Sequence, residues 1–252
     1  MTTPPDPPSP PRPSIARRAV AELLGTGLLV AVVVGSGAAA QRLSPDDAGL
    51  ALLENSTATA FGLAVLILAL GPVSGAHFNP VVTLAEVLDS RRARAPFALR
   101  DAGVYLVAQV AGGIGGALLA NAMFETPMAL SRSDRATGAH LLAEVVATGG
   151  LVLLIFALSR TGRGGLAAPA VGAYIGAAYW FTSSTSFANP AVTVGRVFTD
   201  TAAGISPASV LPFICAQLIG GAIGLACVVF LYPRFSDATS VASARRVSAS
   251  SS

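Results

Sequence analysis

The sequence predicts an all-α membrane protein with six transmembrane helices and two re-entrant half-helices, arranged as two inverted repeats. The first observation is composition: 53% of the 252 residues are hydrophobic and 12% are charged, whereas a soluble domain carries about 25% charged residues. The second is a set of apolar runs of about 20 residues, the length that crosses a bilayer. The third is a group of short motifs that recur in the same order in both halves.

The apolar runs define the elements in chain order. Six runs are long enough to span, at about 16–38, 50–71, 100–122, 138–159, 165–184 and 206–231. Two further apolar segments, at about 79–88 and 189–198, are too short to span, and each begins at an Asn-Pro pair. Asparagine is favoured as a helix cap and proline at the first helical position. Each pair therefore predicts the start of a half-length helix.

The repeated motifs divide the chain into a first repeat at about 16–122 and a second at about 138–231. Each repeat contains three spans, an odd number, so the second repeat enters the membrane upside down. The two half-helices then enter from opposite sides, and their N-termini meet near the midplane. Irregular backbone at that depth is tolerated where it lines a cavity, which predicts a polar path. The motifs are Glu22-x-x-x-Thr26 and Glu144-x-x-x-Thr148, the glycine-rich phrases opened by Gln109 and Gln217, and the two Asn-Pro pairs.

Arginine placement predicts the orientation, since all 16 basic residues are arginines. Cytoplasmic loops carry an excess of basic residues, and six crossings place twelve arginines with the two termini, against Arg42, Arg132, Arg135 and Arg196 on the other side. Both termini are therefore expected in the cytoplasm, with the protein in the inner (plasma) membrane. Proline-rich residues 1–15 and Ser/Ala-rich residues 233–252 are predicted to be disordered tails around a channel domain at 16–232. A net charge of +3 with no clustered basic face argues against nucleic-acid binding.

The paired motifs resemble the aquaporin/aquaglyceroporin (major intrinsic protein) family over about 16–232. The phrases that carry the resemblance are "AELLGT" at 21–26, "SGAHFNP" at 74–80, "AQVAGGIGGALL" at 108–119 and "NPA" at 189–191. The resemblance implies a single-file pore within each protomer, a homotetramer in membrane lipid, and no cofactor. It implies that the pore asparagine motifs are Asn79-Pro80-Val81 and Asn189-Pro190-Ala191.

The same resemblance assigns a selectivity filter that departs from the common pattern. The residue after the second motif is usually arginine in this family, and here it is Val192. Spacing carries three other filter positions onto Ala177, Ser186 and Thr59, with Phe61 as the alternative to Thr59 if the register shifts by two residues. Such a set has no cation and little bulk, which implies a wide filter. "YWFTSSTSFANPAVTVGR" resembles a bacterial branch linked to arsenic resistance, which implies arsenite or methylated trivalent arsenicals as solutes.

Three ionisable residues are candidates for roles at depth. His77 matches a pore-lining position, against the alternative of a purely structural histidine. Ionisable residues inside a membrane are functional suspects, so Glu22 and Glu144 could carry protons in a coupled transporter. Their symmetric placement instead favours a role in holding the backbone of the re-entrant loops.

The function predicted from these observations is a passive channel for small uncharged solutes: water, glycerol-like polyols and trivalent arsenicals. Two alternatives remain, an ion-coupled secondary transporter with inverted repeats and a structural membrane protein with a closed pore. An enzyme is not expected, because the sequence shows no nucleophile–base pair. No metal-ligand cluster is evident either, so no metal site is expected.

Overall fold

A computed structural model of the chain describes residues 12–91 and 96–233. Most of the two predicted tails, and Arg92, Arg94, Arg234, Arg245 and Arg246 of the orientation argument, lie outside these residues. The described chain forms eight α-helices and two short 3-10 turns, at Gly164–Leu166 and Arg196–Phe198. The helices are α1 Ile15–Leu43, α2 Ala48–Ser74, α3 Pro80–Ser90, α4 Leu99–Met123, α5 Gly138–Arg160, α6 Ala167–Phe181, α7 Pro190–Gly195 and α8 Pro207–Leu231.

Five of the six predicted crossings are helices that are long and apolar enough to span a membrane, namely α1, α2, α4, α5 and α8. The sixth, predicted at 165–184, is the 15-residue α6 preceded by the 3-10 turn Gly164–Leu166. At the rise of these two helix types the pair covers about 28 Å, close to the thickness of the hydrocarbon core. The helix ends at Phe181 because the hydroxyl-rich segment after it turns away: the Thr182 hydroxyl bonds back to the Ala178 carbonyl oxygen, and Ser184 bonds to Glu144.

Glycines set the closest helix contacts, and the contacts repeat between the two halves. A Cβ added at Gly116 of α4 would lie 2.0 Å from the Gly27 carbonyl oxygen of α1, and one at Gly224 of α8 would lie 2.2 Å from the Gly149 carbonyl oxygen of α5. Each repeat is thus built on one tightly packed helix pair, as small residues allow in membranes.

Polar contacts at the helix ends show that each of these pairs runs parallel. Arg18 near the start of α1 pairs with Asp101 near the start of α4 at 2.7 Å, and Arg42 at the end of α1 donates to the Phe124 carbonyl oxygen just past α4. In the second repeat, Arg160 at the end of α5 donates to the Tyr232 carbonyl oxygen just past α8 at 2.6 Å.

The two short helices begin at the Asn-Pro pairs, as expected from the caps. The Asn79 side-chain oxygen accepts from the Val81 N–H at 2.9 Å, and the Asn189 oxygen accepts from the Ala191 N–H at 2.9 Å. The half-helix predicted at 79–88 is α3, Pro80–Ser90. The one predicted at 189–198 is the six-residue α7 followed by the 3-10 turn Arg196–Phe198.

Candidate functional site

The N-termini of α3 and α7 face each other and are joined by their asparagines. The Asn79 amide donates to the Ala188 carbonyl oxygen at 2.7 Å, and the Asn189 amide donates to the Phe78 carbonyl oxygen at 2.7 Å. Each side-chain amide has two N–H groups, so the crosslink occupies one and leaves the other for a solute. Both asparagines line the same cavity.

The loops that lead into the half-helices have an unusual and symmetric backbone. Ala76 and Phe78 in the first loop have φ of 50° and 48°, and Ser186 and Ala188 in the second have φ of 50° and 48°. Left-handed conformations are costly for residues other than glycine and persist only where the surroundings fix them. The groups that fix these loops are two buried carboxylates.

Glu22 holds the first loop by accepting four hydrogen bonds, two at each carboxylate oxygen. Its Oε1 accepts from Ser74 Oγ at 2.6 Å and from the His77 N–H at 3.0 Å. Its Oε2 accepts from the Phe78 N–H and from Gln109 Nε2, each at 2.7 Å. The carboxylate is fully buried and does not line the cavity.

Glu144 holds the second loop in the same way. Its Oε1 accepts from Ser184 Oγ at 2.6 Å and from the Phe187 N–H at 2.9 Å. Its Oε2 accepts from the Ala188 N–H at 2.8 Å and from Gln217 Nε2 at 2.7 Å. The recurrence of four equivalent donors explains why the Glu and Gln motifs appear once in each repeat.

A cavity of about 500 Å³ follows the path that the half-helices define. Arg12 and His77 line it towards the N-terminal side, and both pore asparagines line it between the loops. The His77 ring also lies 3.1 Å from the Thr83 hydroxyl through its Nδ1. The facing wall is apolar and includes Leu63 and Ile155, so polar groups lie along one side of an otherwise apolar passage.

Most of the predicted site residues lie at this cavity or directly behind it. Pro80, Val81, Pro190 and Ala191 form the buried first turns of the half-helices and do not line it. The predicted residues that do line it are Thr59, His77, Asn79, Ser186, Asn189 and Val192.

In the second span Thr59, and not Phe61, is the residue that faces inward. Thr59 is 1% exposed, and its hydroxyl lies 3.2 Å from the Tyr179 hydroxyl. Phe61 is 69% exposed on the outer surface of α2. Two positions along a helix differ by about 200°, so Thr59 and Phe61 cannot share a face.

The assignment of Ala177 to the filter is wrong. Ala177 is exposed on the outer face of α6, whereas Ile175 and Tyr179, two residues to either side, line the cavity. The same 200° rotation places Ala177 away from them. Counting residues from the motif missed this by two positions, but the apolar spacing of Val171, Ile175 and Tyr179 at four-residue intervals marks the buried face.

Two cavity-lining residues, Tyr179 and Arg196, were not named by the sequence analysis, and Arg196 carries a charge. Arg196 is 4% exposed and lines both this cavity and a second one of about 410 Å³ near the C-terminal end of α1. The predicted filter set contains no cation, but Arg196 adds one to the wall of the cavity that Val192 also lines. The sequence feature that could have identified Arg196 is its four-residue spacing from Val192, which places both side chains on one side of a helix.

Comparisons with known proteins agree with this architecture. The model of the major intrinsic protein family matches residues 11–186. The chain is 51% identical to aquaglyceroporin AqpS of Rhizobium meliloti (strain 1021) over 219 residues, 86% of this chain and 91% of the relative. It is 30% identical to human aquaporin-1 over 236 residues, 88% of this chain and 85% of that protein.

A solved structure shows the same fold. The X-ray structure of the aquaglyceroporin from Plasmodium falciparum matches with a TM-score of 0.63, covering 85% of this chain and 96% of that one, at 21% sequence identity. The predicted inverted-repeat fold is thereby confirmed. Members of the matching family are passive channels for small neutral solutes and not enzymes. The family model, the 51% relative and the paired Asn-Pro half-helices together establish that the chain belongs to the major intrinsic protein family.

Proposed function

We propose that this channel conducts glycerol-like polyols as well as water through a filter formed by Thr59, Tyr179, Ser186 and Val192. The observation that carries the proposal is Val192: it lines the cavity directly after the second asparagine motif, where the resemblance leads us to expect arginine. A short apolar side chain at this level leaves room for a solute larger than water. The named aquaglyceroporin relative supports polyol passage.

The asparagines and helix ends supply the chemistry of passage. Each pore asparagine is fixed by its cap and by its bond to the opposite loop. Its remaining N–H can therefore donate to a solute oxygen with little further loss of side-chain entropy. The N-terminus of a helix carries a partial positive charge of about half a unit. Facing ends of this kind orient water and oppose the passage of cations, while the apolar wall offers no competing hydrogen bonds.

Trivalent arsenicals fit the same path. Arsenite is neutral at pH 7 and presents hydroxyl groups as glycerol does, so the same amide donors serve both. We propose arsenite and its methylated trivalent relatives as further solutes, on the basis of the small side chains of Thr59, Ser186 and Val192.

A coupled transporter is the weaker alternative for physical reasons. Glu22 and Glu144 each have four donors and lie behind the loops instead of on the cavity. A carboxylate held in this way has no free site from which to exchange protons with a solute pathway.

We also propose that the channel domain spans 16–232 and forms a homotetramer in the plasma membrane, with both termini in the cytoplasm. The lipid-exposed surface supports a membrane location, since side chains such as Val65, Leu68 and Val107 are more than 60% exposed on the outside of the helices. Among the described residues, the side with the N-terminus holds seven arginines and the other four, which supports the orientation. The seven are Arg12, Arg17, Arg18, Arg91, Arg100, Arg160 and Arg163.

Stopped-flow light scattering on proteoliposomes tests the filter. Wild type is compared with Val192→Arg and with the uncharged size control Val192→Leu, using water, glycerol and arsenite gradients. We expect Val192→Arg to slow glycerol influx by at least about tenfold while water flow changes little, because a fixed cation narrows and charges the passage. Val192→Leu should change glycerol influx far less.

Two results would contradict the proposal. If wild-type vesicles take up glycerol no faster than empty vesicles, the channel is closed or serves other solutes. If Val192→Arg and wild type take up glycerol equally fast, Val192 does not lie in the limiting part of the pore.

A further inference from the structure

The position of Arg196 relates it directly to the filter. It follows α7 in the 3-10 turn Arg196–Phe198, four residues after Val192. Four residues along a helix correspond to about 6 Å and to nearly the same face. Arg196 therefore extends from the same wall as Val192, one turn further from the pore asparagines.

Arg196 also lies where the two cavities meet. The inner cavity contains the asparagines and the filter residues, and the outer one is lined by residues such as Gln41, Ser44 and Thr185. Among the described residues that line them, Arg196 is shared by both. Arg196 therefore forms part of the wall between the outer cavity and the cavity that contains the asparagines.

The contacts of Arg196 hold one edge and one face of its guanidinium group and leave its two terminal nitrogens available. Its Nε donates to the Ala203 carbonyl oxygen, and its guanidinium carbon lies 3.5 Å from the centroid of the Phe187 ring. Within 12–91 and 96–233, no carboxylate forms an ion pair with it, and its two terminal nitrogens have no hydrogen-bond partner. Those nitrogens are donors without a protein acceptor, placed at the junction of the cavities.

The electrostatic setting is costly for stability. A buried cation that forms no ion pair loses solvation that its neighbours do not return in full. A second cation, Arg135, lies 5.4 Å from the same Phe187 ring and donates to the Gly204 carbonyl oxygen at 2.7 Å. Two like charges beside one ring do not stabilise each other, so packing alone does not explain why a cation stands here.

We propose that Arg196 is the charge-selecting residue of this channel, displaced outward by one helical turn from the level of Val192. This rests on the proposed function and extends it by separating two tasks. Thr59, Tyr179, Ser186 and Val192 limit the size of the solute, and Arg196 repels cations at the outer junction.

Urea and guanidinium provide the test, because they have nearly the same size and shape and differ in charge. Uptake of each radiolabelled compound into proteoliposomes is measured with the membrane potential held negative inside by potassium and valinomycin. The variants are Arg196→Gln, which removes the charge, and Arg196→Lys, which keeps it. Arg132→Gln is the matched control, since Arg132 is 88% exposed, pairs with Asp200 on the same side and lines neither cavity.

We expect wild type, Arg196→Lys and Arg132→Gln to take up urea in strong preference to guanidinium. Arg196→Gln should take up urea at the wild-type rate or faster. Its ratio of urea uptake to guanidinium uptake should fall at least about tenfold, since removal of a focused charge acts on ions and not on neutral solutes. Its melting temperature should change little or rise, whereas a merely structural arginine would lower it.

The outcomes separate this assignment from the proposed function. An Arg196→Gln channel that conducts urea and still rejects guanidinium as wild type does would overturn the role of Arg196 alone. Wild-type vesicles that take up neither urea nor glycerol faster than empty ones would overturn the proposed function, and the role of Arg196 with it. Should Arg196→Gln fail to reconstitute, Arg196→Met removes the charge, leaves a long apolar side chain beside Phe187 and makes the same comparison.

Discussion

Replacing Glu144 by alanine removes the group that fixes the second pore loop. The backbone N–H groups of Phe187 and Ala188 are buried and have this carboxylate as their acceptor. Each buried donor left without a partner costs about 1–3 kcal/mol, so the loop is destabilised by about 2–6 kcal/mol. Ser184 and Gln217 also lose their acceptor, but these side chains can rotate, and we assign them no further cost.

The expected consequence is loss of conduction before loss of the helices. Ser186 and Ala188 have positive φ, and a residue held in that region stores about 1–3 kcal/mol. Without Glu144 the loop can relax that strain, which moves Asn189 away from its bond to Phe78. We expect glycerol influx close to that of empty vesicles and a lower melting temperature in detergent.

Two further variants make the Glu144→Ala experiment decisive. Glu144→Gln keeps the size but places an amide opposite N–H donors, so its effect should be smaller and in the same direction. Asp46→Ala removes an exposed carboxylate and should change neither property. Wild-type glycerol influx and melting temperature in Glu144→Ala would refute the reasoning. Retained influx with altered pH dependence would instead indicate a proton-coupling role.

Two other substitutions test the packing and the midplane. Gly116→Ala places a Cβ 2.0 Å from the Gly27 carbonyl oxygen, so it should cost several kcal/mol or prevent assembly, as seen in the melting temperature. Gly115→Ala on the same helix meets nothing within 4 Å and should be neutral or stabilising. Asn189→Asp places a negative charge between the half-helix ends and should raise proton leak by about tenfold, followed with an entrapped pH dye. Asn121→Asp, a buried site away from both cavities, should not raise it, and equal leak in both variants would contradict the midplane mechanism.

The sequence was most informative where the same physical requirement occurs twice. Asn-Pro marks a cap and a first turn, and the two Glu motifs supply acceptors that a strained loop needs. Because both features recur in order, the half-helices, their opposed entry and the residues that hold them could all be predicted. Thr59, the residue favoured by counting back from the first motif, lies on the inward face of α2.

The sequence was least informative where local geometry differs between the halves. Ala177 was misplaced because counting residues back from the motif does not determine which face of α6 turns inward, and Ile175 and Tyr179 line the cavity instead. Arg196 was counted only as one of the four arginines on the side opposite the termini, and its burial could not be deduced from the sequence. Only the fold shows that the 3-10 turn after α7 directs it between the two cavities.

Glycerol flux under an imposed proton gradient tests the central claim of passive conduction most directly. Wild-type proteoliposomes are given the same glycerol gradient with the lumen acidic, neutral or alkaline relative to the outside, and influx is followed by light scattering. Passive conduction through the cavity predicts equal rates in the three cases, well above those of empty vesicles and proportional to the glycerol gradient. A rate that follows the direction of the proton gradient, or that saturates with glycerol, would contradict it.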